Sequence, residues 1–191
     1  MDSVDQLITR ALMATWRYTE AKSAEMAAAA ADGTVPLEQT CADGSDDTDN
    51  NIDLSHSDLR QFPHSVLEGG CRELIRSLNI SNNHIGVLPT ELGLFTGLVT
   101  LDVSSNGLKS IADEVCALRH LRTFVARNNF LTVDSIPKDF GTLPSLAVLN
   151  LSGNLLSQLP MQFTELPQLR CLYLGANQIA SVPPDVQNMS K

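Results

Sequence analysis

The side chains of this chain best able to ligate a metal or serve as nucleophiles stand apart from one another: His56, His64, His84 and His120, with Cys41, Cys71, Cys116 and Cys171. A zinc site needs several such ligands at short fixed spacing, and a thiol or hydroxyl nucleophile needs a base within reach. Neither CxxC pairs nor clustering occur, and no phosphate-cradling loop, GxSxG, HExxH or dinucleotide fingerprint is present. The histidines read as surface residues: His56 and His84 at strand exits, His64 and His120 on loops or convex positions. The sequence therefore predicts no enzyme: no catalytic residue, no cofactor and no metal.

Charge narrows the partners. The net charge is −9, and residues 1–50 hold ten acids against three bases, leaving twelve against ten in residues 51–191. Attraction to nucleic acid or to an anionic membrane needs a basic face. The counts offer none large enough, so neither partner is expected. The N-terminus lacks a basic stretch followed by an apolar one, and no apolar run approaches membrane-spanning length. With cysteines that suggest no disulfide framework, a cytoplasmic, reducing compartment fits best. The N-x-S triplets at Asn79, Asn150 and Asn188 carry no glycosylation meaning there.

What remains is recognition, and the elements that would position it repeat. Hydrophobic residues make up 43% of the chain, enough for a core. From Asn51 onward the segments lie on one template, LxxLxLxxNxL followed by LPxxΦxxL. The asparagine slot is filled by Ser57, Asn83, Asn106, Asn129, Asn154 and Asn177, at separations of 26, 23, 23, 25 and 23 residues. Strand pairs Ile52/Leu54, Leu78/Ile80, Leu101/Val103, Phe124/Ala126, Leu149/Leu151 and Leu172/Leu174 alternate in and out, as a half-buried strand must. Seven residues after each first strand position comes another inward apolar side chain: Leu59, Ile85, Leu108, Leu131, Leu156 and Ile179.

An amide can donate to and accept from main-chain groups where the chain turns, so Asn83, Asn106, Asn129, Asn154 and Asn177 are expected to form a structural ladder. Ser57 would be a shorter substitute at the N-terminal edge. Two repeats are longer, around Glu68–Cys71 and at Val133–Ser135, which reads equally as bulging loops on or beside a binding face or as tolerated length drift.

This period and template, with convex segments such as LPTELGLFTGL, IPKDFGTLPSL and LPMQFTELPQL, resemble the short intracellular subclass of leucine-rich-repeat proteins found in small-GTPase-interacting scaffolds. The resemblance covers residues 52–191. It implies an α/β solenoid, a right-handed horseshoe of about six repeats with a parallel concave sheet, serving as an intracellular scaffold or adaptor. A ubiquitin-ligase substrate receptor, in a longer form, is one version of that role; small-GTPase regulation and a truncated fragment without independent activity are the alternatives. A narrower group within the family continues with further repeats and a cysteine-containing region, which this chain is expected to lack.

The expected domains are an Ala-rich helix over 1–32, an acidic flexible linker over 33–50, and repeats over 51–191 with an uncapped C-terminal end. There Leu172, Leu174, Ile179, Val182, Val186 and Met189 would remain uncovered. A monomer follows, with self-association through that open edge as its alternative. On the concave face most positions are small and polar. The exceptions Val125, Arg127, Val148 and Tyr173, flanked by Asp102 and Asn150, are the expected protein-binding residues.

Overall fold

Each strand contributes only three residues, one inward apolar side chain between two outward ones, so no strand buries enough by itself; stacking supplies the core. The computed structural model describes residues 50–63, 66 and 72–180. It shows β1 (Asn51–Asp53), β2 (Ser77–Asn79), β3 (Thr100–Asp102), β4 (Thr123–Val125), β5 (Val148–Asn150) and β6 (Cys171–Tyr173). They form one parallel sheet in chain order. Asn51, Ser77, Thr100, Thr123, Val148 and Cys171 pair in one column, and Asp53, Asn79, Asp102, Val125, Asn150 and Tyr173 in another. The expected register is observed at every strand. The helix expected over 1–32, the linker up to Asp49, His64, Cys41, Cys71, the bulge at Glu68–Cys71, and Val182, Val186 and Met189 lie outside the described residues.

Between those columns Ile52, Leu78, Leu101, Phe124 and Leu149 are buried, while Leu172 on the last described rung is half-buried. Convex segments are short 3-10 helices: Thr90–Leu94, Asp113–Ala117, Lys138–Thr142 and Met161–Glu165. Three residues per turn put positions i and i+3 on one side. The pairs Leu92/Phe95, Val115/Leu118, Phe140/Leu143 and Phe163/Leu166 therefore all face the core, and all are buried. Pro89, Pro137 and Pro160 precede three of these helices in extended conformation, where a missing N–H leaves nothing unpaired. Phe140 bridges Phe124 and Phe163 at ring-centroid distances of 6.0 and 5.8 Å.

The long fourth repeat closes on itself through Val133–Ser135, a further 3-10 turn. Ser135 Oγ donates to the Thr132 carbonyl at 2.6 Å and accepts from its N–H at 2.9 Å. Ile111 N–H donates to Ser135 O at 3.0 Å, tying the turn to the preceding repeat. This insertion borders the convex layer rather than the sheet. The extra residues lengthen the route from asparagine turn to convex helix, leaving the strand register untouched.

Candidate functional site

The turn that follows each strand sets where the concave side chains stand. His56, Asn82, Ser105, Asn128, Gly153 and Ala176 occupy equivalent positions at positive φ, between 53° and 70°. At Gly153 the fit is closest, because a Cβ there would run into the Asn128 side chain. One residue later comes the asparagine. Asn129 Oδ1 accepts from the N–H groups of Asn106 and Leu108 at 3.0 Å each, while its Nδ2 donates to Val103 O and Ala126 O at 3.1 Å. Asn83 does the same two repeats earlier, accepting from Ser57 N–H and Leu59 N–H and donating to Leu54 O and Ile80 O. Asn106, Asn154 and Asn177 each donate to their own strand exit and the one before. Every asparagine side chain thus joins two repeats. Ser57 is too short to bridge, and its Oγ donates within its own turn, to Ser55 O.

The sheet face carries a second polar device that the sequence reading did not single out. Asp53, Asn79, Asp102 and Asn150 each accept, through Oδ1, the N–H two residues on, at 2.9, 3.0, 2.9 and 3.1 Å. An Asp or Asn followed by serine two positions later is the local signal for such a turn. Asp102 and Asn150, expected among the contact residues, are therefore partly committed to their own strand exits. Val125 and Tyr173 occupy the same column without that option.

Four exceptions to the small polar pattern lie together on adjacent rungs β4, β5 and β6. Val125 and Val148 are half-buried, Arg127 is exposed, and Tyr173 is 51% exposed. Among the described residues no carboxylate lies within 4.0 Å of the Arg127 guanidinium. An aromatic ring, an open guanidinium and two valine flanks can supply apolar contact and a directional charge to a protein surface.

Elsewhere the fold offers a cavity of about 520 Å³ beneath the insertion, lined by Ser110, Ile111, Asp113, Cys116, Lys138 and Asp139 among others. Burial pushes the Cys116 thiol up to about 11, helped by the negative charges of Asp139 and Asp113. That is the reverse of an activated thiol. Among the described residues no group of three His, Cys, Asp or Glu could hold a metal ion, and no helix is long and apolar enough to cross a membrane.

A six-rung parallel sheet, asparagines bridging successive turns and short convex 3-10 helices define the class of fold: a leucine-rich-repeat solenoid. The family model "Leucine rich repeat" matches residues 119–179, and a second, "Leucine Rich Repeat", matches residues 74–95. Within the class the chain is similar to Leucine-rich repeat-containing protein 58. It is 36% identical to that protein of Xenopus tropicalis over 113 residues, 59% of this chain and 32% of the relative. Against the Homo sapiens protein of that name it is 43% identical over 95 residues, 47% and 26% of the two chains. The matched stretch thus spans about a third or less of these curated relatives' length. A solved leucine-rich-repeat protein of Leptospira interrogans superposes with a TM-score of 0.62 at 29% identity, covering 73% of this chain and 40% of that one.

Proposed function

We propose that this chain is a non-enzymatic scaffold or adaptor that holds a folded protein partner against the C-terminal half of its concave face, through Val125, Arg127, Val148 and Tyr173, framed by Asp102 and Asn150. One observation carries the reading. An exposed tyrosine and an arginine with no carboxylate partner among the described residues flank two valines, on a face whose other side chains are small or tied to their own backbone. Interface energy concentrates in such aromatic and arginine side chains. A cytoplasmic setting agrees with the free thiols of Cys116 and Cys171.

Two versions of the role differ in what the partner is. Substrate capture for a ubiquitin ligase requires a recruitment module beyond the repeats, whereas small-GTPase regulation is suggested by the LPxxΦ convex segments. Affinity capture from lysate with the parent chain and with Arg127→Glu/Tyr173→Ala tests the site. The parent should retain its dominant partner at least roughly tenfold better than the double variant, with melting unchanged within about 0.5 kcal/mol because both positions are exposed. Equal retention overturns the site. Cullin-type ligase subunits or a nucleotide-dependent GTPase among the retained proteins decide between the versions, and no partner at all supports an inactive fragment.

A further inference from the structure

The residue just before each strand forms a column of its own along the N-terminal rim of the sheet. Its backbone is laddered: Arg76 N–H donates to Asn50 O, Val99 to Arg76, Arg122 to Val99, Ala147 to Arg122 and Arg170 to Ala147, each at 2.8 Å. Arginine thus stands on every second rung. Arg76, Arg122 and Arg170 are exposed, with half-buried Val99 and Ala147 between them. Arg76 donates Nη1 to Gly97 O at 2.8 Å; Arg122 and Arg170 have no carboxylate within 4.0 Å among the described residues. Arg119 extends this basic surface in the turn before β4, and Glu73 is an acid near its N-terminal end. Like charges on alternate rungs repel weakly and are unrelieved by their own fold, which favours an acidic chain laid across them.

The head of the column is Asn50, and immediately before it stand Asp43, Asp46, Asp47 and Asp49. We propose that this acidic segment docks on the arginine rim of its own repeat array, running from Asn50 past Arg76 and Arg122 toward Arg170. The reach matches: rungs about 4.8 Å apart place Arg122 roughly 14 Å and Arg170 roughly 24 Å from Asn50, while an extended chain of about 3.3 Å per residue places Asp46 roughly 13 Å and Asp43 roughly 23 Å away. A tether this short holds the carboxylates at an effective concentration in the millimolar range, so weak individual pairs suffice. The surface is distinct from the concave patch around Tyr173, and the docking does not depend on that patch binding anything.

Nuclear magnetic resonance on the full chain tests it, comparing the parent with Asp43→Asn/Asp46→Asn/Asp47→Asn/Asp49→Asn. At low salt the arginine Nε–H and backbone amide signals of Arg76, Arg122 and Arg170 should differ between the two proteins. About 0.5 M sodium chloride should erase that difference, since exposed charges are screened over a few ångströms there. Signals of Asn106 and Asn129, at the opposite edge, should coincide throughout. A synthetic peptide of residues 38–49 should bind the variant roughly tenfold tighter than the parent, whose own segment competes. Adding Arg122→Glu and Arg170→Glu to the variant should abolish that binding. Coincident rim signals at low salt, differences confined to other surfaces, or equal peptide affinity would each overturn the proposal. So would differences that grow with protein concentration, which would assign the rim to the segment of a second copy.

Discussion

The two halves of the concave face share one backbone and carry different chemistry. On β1–β3 the outer column reads Asp53, Asn79 and Asp102, each bonded to the N–H two residues on; on β4–β6 it reads Val125, Asn150 and Tyr173, where only Asn150 keeps that bond. Strand register, buried column and asparagine turns continue unchanged across the boundary. The scaffold therefore does not require Val125 or Tyr173. A polar cap was available at both positions and is absent, so the chemical difference between the two halves arises from side chains that the strand-exit turns leave free.

The comparison breaks first if the scaffold is not uniform. Asn106→Ala and Asn129→Ala, one from each half, strand the buried N–H and C=O groups they serve, and each should cost about 1–3 kcal/mol. Denaturant titration should return similar losses for the two; a loss confined to one would mean that the halves are built differently. A chemical contrast comes next. Because the Cys116 thiol is pushed up to about 11, its thiolate is scarce at pH 8, whereas Cys171 on the concave face is exposed. Iodoacetamide should modify Cys171 at least roughly tenfold faster by mass spectrometry. Equal rates would show that the convex layer opens as readily as the sheet face.

Smaller effects sharpen the contrast. Asp102→Ala should cost roughly 0.5–1.5 kcal/mol through its lost bond to Ser104 N–H. Val125→Asp should be near neutral, since a carboxylate there can accept Arg127 N–H as Asp102 accepts Ser104. If Val125→Asp instead destabilises by more than Asp102→Ala, the valine packs for stability and is not a free contact. The least of the expected changes is Ala176→Gly. Ala176 holds φ 55° where the preceding repeat has Gly153, so glycine should stabilise by up to about 1 kcal/mol, readable as a small rise in Tm. A fall would show that the Ala176 methyl group contributes packing.

Much of the fold was legible in the sequence because each repeat declares its own geometry locally. A residue pattern of period two marks which side chains face inward, and the recurring asparagine marks where the chain must turn with its polar groups satisfied. Six such segments in succession can bury their apolar edges only by stacking in order, so the parallel sheet and its register followed. The convex elements were placed correctly as segments. Their 3-10 character depended on the pairing of positions i and i+3 against the core, as at Phe140 and Leu143.

The chain alone set Val125, Arg127, Val148 and Tyr173 apart by residue type and placed Asp102 and Asn150 beside them as further contact residues. Only the tertiary structure showed which polar side chains are already engaged, because that depends on what lies within hydrogen-bond reach. Asp102 and Asn150 close on the N–H two residues on, while no carboxylate among the described residues reaches Arg127. From its sequence the fourth-repeat insertion read equally as a loop beside a binding face or as tolerated length drift. Its turn is bound by Ser135 to Ile111 and borders the convex layer, since the extra length enters after the asparagine turn. Periodicity determined which residues are buried and in what register; distances across the stacked rungs decided which exposed residues remain available to a partner.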